Sequence, residues 1–176
     1  MKSACKAILL AATLITTLAL AQEPKKRLSP HETTTATIAD HKITIEYGRP
    51  YKKGREIMGG LVPFGQVWRT GADEATTLTT TADLMVGRIH VPAGTYSLFT
   101  IPEANGWTLI LNKTAKQWGA FKYDDTQDLG RTPMKVRSLD TPLEQFTIAI
   151  ESTGGSNGII KLTWDDTEAS VDIMVH

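Results

Sequence analysis

Short runs of alternating apolar and polar residues, cut by turn residues, constrain this chain more than any other feature. A period of two suits a half-buried strand and does not suit a helix, whose faces repeat every 3 to 4 residues. In KITIEYG, Ile43, Ile45 and Tyr47 fall on one face, with Thr44 and Glu46 on the other. QFTIAIES repeats the pattern with Phe146, Ile148 and Ile150. GIIKLTWDD does so with Ile160, Leu162 and Trp164, and ASVDIMV with Val171, Ile173 and Val175. The connectors TGGSNG and DDTE read as hairpin turns. TTTATIA pairs with KITIEYG across Asp40-His41, and GTYSLFTIP with GWTLILN across EANG. ATTLTTT, LMV and RIHVP add short strands, with Gly87 at a tight turn.

No stretch keeps a helical period over about 12 residues, and a single short helical turn is expected at 114–119. About ten short strands at this spacing imply an all-β protein, an antiparallel β-sandwich or jelly roll. Its inner faces are expected to include Ile43, Ile45, Phe146, Ile148, Ile150, Ile160, Leu162, Val171 and Ile173. Residues 48–66, with four glycines after Gly48 and two prolines, break the alternation. So long an irregular connection is expected to pack as a lid or a plug across the core.

The N-terminus has its own logic. Lys2 and Lys6 precede an apolar run that ends in Ala19-Leu20-Ala21, the small residues a signal peptidase accepts. The run is shorter than the roughly 20 residues a membrane span needs. Residues 1–21 therefore read as a cleaved signal peptide, 22–32 as a flexible tether and 33–176 as one domain. Cys5 precedes the apolar run, which disfavours a lipid anchor, and it leaves with the leader. The exported chain then has no disulfide, thiol nucleophile or thiolate metal site. Disulfide-free exported domains of this size are commonplace in bacteria, and the expected location is periplasmic or secreted.

Without Lys2 and Lys6, the 19 basic residues fall to 17 against 19 acidic ones, a net charge of −2. That balance argues against nucleic acid, whose phosphates reward clustered Lys and Arg, and against a charged membrane surface. The only basic cluster is KKR at 25–27. No motif for phosphate binding, serine nucleophiles, zinc proteases or paired cysteines is present. His31, His41, His90 and His176 are scattered, so no histidine metal site and no cofactor is expected. Asp124, Asp125 and Asp128 share one loop that lacks the glycine and terminal glutamate of an EF-hand, and they read as a solvated acidic turn.

One stretch stands apart. VWRTGADEATTLTT places Arg69, Asp73 and Glu74 beside Trp68 in a segment otherwise built from Thr, Ala, Val and Leu. Gly71 permits a bend that brings Arg69 and Glu74 together, and an ion pair locking a corner is expected. The other reading is a charged cleft holding a carboxylate with a shifted pKa.

GRPYKKGREIMGGLVPFGQVWRTGADEATTL, VPAGTYSLFTIP and WGAFKYDDTQD, in that order, closely resemble the bacterial family known as domain of unknown function 2911. The resemblance covers roughly residues 29–175. It implies an exported β-rich protein and supplies no activity. Members of that family often carry Asn where this chain has Asp73, which puts Glu74 ahead of Asp73 as an acid or base.

Two functions of different class follow from the residues. The first is a non-catalytic binding domain for a polar ligand such as a sugar, a peptide or an envelope fragment. Trp68, Arg69, Glu74, Arg49, Tyr51, Trp118 and Tyr123 are its candidate contacts, all in or beside irregular segments. The second is a metal-independent hydrolase or isomerase, with Glu74 as acid or base, Asp73 or Asp124 as its partner and Arg69 or Arg49 as anchor. A third, structural or assembly role would use a sheet edge or the apolar GGLVPFG segment. Oligomeric state leaves no signature in the sequence.

Overall fold

A computed structural model describes residues 28–176, so the signal-peptide reading and most of the tether lie outside the described residues. Nine strands follow in chain order: β1 (His31–Ile38), β2 (His41–Gly48), β3 (Thr76–Thr80), β4 (Leu84–Val86) and β5 (Ile89–Val91), then β6 (Gly94–Glu103), β7 (Gly106–Asn112), β8 (Asp128–Gly154) and β9 (Asn157–Val175). They form one antiparallel sheet in the order β1-β2-β3-β6-β7-β8-β9-β4-β5. The protein is all-β, as the alternation predicts. Among the described residues no helix is long and apolar enough to cross a membrane.

The hairpins follow their turn chemistry. Ala39 and Asp40 join β1 to β2 with φ of 47° and 64°, the doubly left-handed turn whose twist matches paired strands. The sheet bends over so that β2 and β8 pack face to face. The Ile148 amide donates to the Tyr47 hydroxyl at 3.0 Å, and the Tyr47 and Phe146 rings meet edge-on at 5.7 Å. One continuous core results, drawing on all nine strands. Of the nine predicted core positions, Ile43, Ile45, Phe146, Ile148, Ile160, Leu162, Val171 and Ile173 are buried, while Ile150 is only partly so.

Two expectations need correction, and one strand lies outside the alternation. DDTE is no hairpin turn: 160–164 and 171–175 belong to one strand, β9, interrupted by an irregularity where Asp165 takes a φ of 53° opposite Leu143. A bulge of this kind bends a strand without ending it, and nine strands replace about ten. The first half of β8, 128–143, carries two prolines and many charges and shows no clean alternation. It is nevertheless a strand, because Pro133 sits opposite Thr108 within the β7 ladder. Pro142, which has no N–H to offer, falls where the β9 register breaks between Ser138 and Leu143. Finally, 114–119 is not helical. The helical turn lies at Asp125–Gln127, where the Asp124 carboxylate accepts from the Thr126 amide at 3.0 Å and caps it.

Loop 49–75 is tied by backbone bonds to β8 and then to β6. The Phe146 amide donates to Pro50 O at 2.9 Å and the Lys52 amide to Glu144 O at 2.7 Å. The loop thus takes up the part of β8 that has left the β9 ladder. Farther along, the Trp68 and Thr100 amides and carbonyls exchange bonds of 2.7 and 3.0 Å, pinning the segment to β6. Of residues 49–66 only Pro50, Ile57 and Val62 are buried, so the glycine-rich stretch lies over the core and anchors to it at these points.

Candidate functional site

Trp68 fixes the site by filling the core. Its indole lies 6.1 Å from Trp107, 5.1 Å from Phe146 and 6.1 Å from Trp164, the last in a stacked arrangement. The chain then turns sharply. Thr70 and Asp73 take φ of 57° and 64°, a conformation that a β-branched residue such as Thr70 adopts only under constraint. The constraint is visible: Thr70 is fully buried, its hydroxyl lies 3.1 Å from that of Thr100, and its carbonyl accepts from the Thr76 hydroxyl at 2.7 Å. Gly48 and Gly71 allow the close approach of backbone to backbone. A Cβ on Gly48 would fall 2.0 Å from Ala72 O, and one on Gly71 2.7 Å from Gly48 O. Strain held in place by surrounding bonds is commonly found where a protein positions functional groups.

The turn separates its charged residues. Arg69 and Asp73 line a cavity of about 450 Å³ together with Tyr51, Lys53, Arg55 and Trp68. Its charge is three cations to one carboxylate. The Arg69 Nε and the Asp73 Oδ2 are both buried and have no hydrogen-bond partner in the protein. Desolvation holds the Arg69 guanidinium below its usual value, an effect that the Asp73 charge partly offsets. Leu61 and Val62 add apolar surface to the same cavity.

Glu74 faces elsewhere. It lies 2.9 Å from His31 Nε2 and lines a second cavity with Glu46, Lys116 and Gln117. The expected Arg69–Glu74 pair is therefore not formed. The bend at Gly71 is real, but Asp73 also turns left-handed, and successive residues 73 and 74 face different cavities.

The remaining candidates divide cleanly. Tyr51 is in the Arg69 cavity. Arg49 is not: its Nε donates to Phe146 O at 3.0 Å, its Nη2 to the Thr147 hydroxyl at 2.9 Å, and its Nη1 lies 3.5 Å from Glu32. It clamps the end of β2 to β8. Trp118 is 61% exposed, with its backbone bridged to Glu74, and lines neither cavity. Tyr123 donates to Asp128 at 2.7 Å and accepts from Arg131 at 2.9 Å. Burial, with the Asp128 hydrogen bond and charge, pushes its phenol up to about 12. Asp128 also accepts from Asn112 at 3.0 Å, and Asp124 holds the cap, where the Thr126 bonds lower its pKa. The three carboxylates of that loop do not converge on one point, and among the described residues no three His, Cys, Asp or Glu groups could hold a metal ion.

Lys53 and Arg55 escaped the sequence reading. The signal was present in YKKGR, where Tyr51 shares an irregular loop with three basic residues, and the cavity uses two of them. The third, Lys52, pairs with Asp165 at 2.5 Å.

A family model described as a protein of unknown function, DUF2911, matches residues 29–173. The chain belongs to this family. The match spans β1 to β9 and both cavities, so the Arg69 turn is part of the DUF2911 domain and not an appendage to it. No curated protein and no solved structure matches the chain.

Proposed function

We propose that this DUF2911 chain is an exported, non-catalytic binding domain that holds a small polar ligand in the Arg69 cavity. One observation carries the reading: a guanidinium with a buried, unbonded Nε lines a cavity of about 450 Å³ walled by Tyr51 and Trp68. Small-molecule sites have this size and this mixture of apolar wall and few polar groups. Sugars, peptides and envelope fragments fit that description. Export rests on Lys2, Lys6 and Ala19-Leu20-Ala21, and predicts a mature chain beginning at Gln22, read by intact mass.

Catalysis by a carboxylate pair fits less well. Asp73 lines one cavity and Glu74 the other, while Asp124 caps a turn, so no two of the three face a common substrate. A thermal-shift screen of envelope sugars and short peptides tests the reading. A hit lost in both Arg69→Met and Tyr51→Ala supports it. A hit indifferent to both rejects the cavity, and a ligand consumed during the assay moves the protein to the enzyme class.

A further inference from the structure

The ligand can be specified further, on the reading that the Arg69 cavity is a binding site. We infer that it takes a carboxylate that also bears a hydroxyl or ammonium group, the carboxylate meeting Arg69 and the donor meeting Asp73. Both groups line the cavity, and each keeps a buried atom without a protein partner, Arg69 Nε and Asp73 Oδ2. The guanidinium offers only donors and the ionised carboxylate only acceptors. The two side chains attract each other but form no salt bridge, unlike Lys52 with Asp165. A ligand with both an acceptor and a donor would serve the two groups that line this cavity. Buried polar atoms are rarely left without partners in proteins, and those that are call for an explanation.

The charge of the cavity decides between ligand types. A neutral polyol supplies both an acceptor and a donor, yet leaves Lys53, Arg55 and Arg69 opposed, among the described lining residues, only by Asp73. A simple carboxylate balances the cations, but faces Asp73 with a second negative charge and offers its carboxylate no donor. Only an anion that also donates satisfies both groups. A guanidinium binds a carboxylate through paired N–H bonds, which a lysine at position 69 would not reproduce. Tyr51, 36% exposed, and the edge of Trp68 provide an apolar wall for the carbon skeleton.

Two sources share this chemistry, acidic sugars and α-amino acids, and Asp73 distinguishes them. Asp73 sits at φ 64°, where Asn and Gly are both at ease, so Asp73→Asn and Asp73→Gly leave the turn intact. Asn keeps an acceptor oxygen and loses the charge. An ammonium donor should therefore lose about tenfold or more in affinity in Asp73→Asn, and a hydroxyl donor much less. Both should lose about tenfold or more in Asp73→Gly.

The experiment is calorimetric titration of the folded domain with D-glucuronate, a panel of free α-amino acids, cyclohexanecarboxylate and methyl glucoside. The expected result is saturable binding of glucuronate or of amino acids. The carboxylate-only and hydroxyl-only probes should bind at least about tenfold more weakly. Arg69→Met and Arg69→Lys should both weaken the tight probe, with thermal midpoints confirming that each variant folds. Methyl glucoside binding as tightly as glucuronate, and lost in Tyr51→Ala, would overturn the ligand class and leave the binding site standing. Cyclohexanecarboxylate binding as well as either, unaffected by Asp73→Gly, would overturn the donor requirement. No binding by any probe would overturn both the class and the site.

Discussion

Two groups of charges in this small domain are built in opposite ways. Around Arg49 and in the Tyr123–Asp128–Arg131 cluster, guanidinium, phenol and carboxylate groups close on one another or on backbone carbonyls. In the Arg69 cavity, a guanidinium and a carboxylate sit a few residues apart in a strained turn, each with a buried atom that no protein group meets. Satisfied charges hold strands in place, and their removal should cost stability. Unsatisfied ones are already a burden on the fold, so their removal should cost little stability and be felt in binding. The contrast is between architecture and readiness for a ligand, and it is a contrast in partners, since both groups use the same residue types.

The shared foundation gives the largest effect. Phe146 touches Tyr47, Trp68 and Trp164 and supports both the β2–β8 contact and the floor of the cavity. Phe146→Ala should destabilise by about 3–5 kcal/mol, measured by urea unfolding. A loss under about 1 kcal/mol would mean that the two groups do not rest on one core.

That core was legible because its signal is local and repetitive. Ile43, Ile45, Phe146, Ile148, Ile160 and Leu162 alternate along single strands, and burial on one face requires nothing more. What could not be read depends on contacts distant in sequence. Residues 128–143 gain their strand from β7, a partner that supplies the ladder despite Pro133. DDTE becomes a bulge only because β8 runs past it. At the site, Trp68, Arg69 and Asp73 were marked by their chemistry, yet the left-handed turn at Asp73 that sends Glu74 to His31 has no sequence signature. Lys53 and Arg55 enter the cavity through the fold of loop 49–75 and not through spacing.

The next effect separates the two arginines. Arg49→Met removes charged hydrogen bonds to Phe146 O and Thr147 and should cost about 1.5–3 kcal/mol. Arg69→Met, which removes a partly buried cation without a hydrogen bond on its Nε, should change the urea midpoint far less. Equal losses in the two variants would erase the distinction drawn here.

Alkaline pH probes the satisfied cluster alone. The Tyr123 phenol is held up to about 12 in the folded protein by burial and then by Asp128, above the value of about 10 in an unfolded chain. A group raised in this way contributes stability that is intact below about pH 10. That contribution is lost as pH climbs toward 12, because the unfolded chain gives up its proton first. Tyr47 and Tyr96 are raised as well, so part of the decline will persist in any single variant. Urea midpoints between pH 9 and 11.5 should fall less steeply in Tyr123→Phe than in the parent, with slope and not starting value as the readout. Parallel slopes would show that the phenol is not held by this network.

The smallest effect bears hardest on the comparison. If Arg69 and Glu74 formed a corner-locking pair, Arg69→Met and Glu74→Gln would each strand a charge, and the double variant would recover much of the loss. The structure sends them to different cavities, Arg69 beside Asp73 and Glu74 against His31. With no contact between them and no shared partner among the described residues, their effects should add, and the coupling energy from a thermal or urea double-mutant cycle should lie within about 0.5 kcal/mol of zero. His31→Gln combined with Glu74→Gln serves as the positive control, because that pair is in contact at 2.9 Å. The cycle needs no ligand, so it judges the geometry of the turn before any binding is known. A coupling of about 1 kcal/mol or more between Arg69 and Glu74 would mean that the guanidinium has a partner in solution. In that case Arg69 belongs with the architectural charges, and the cavity loses the cation that makes it a binding site.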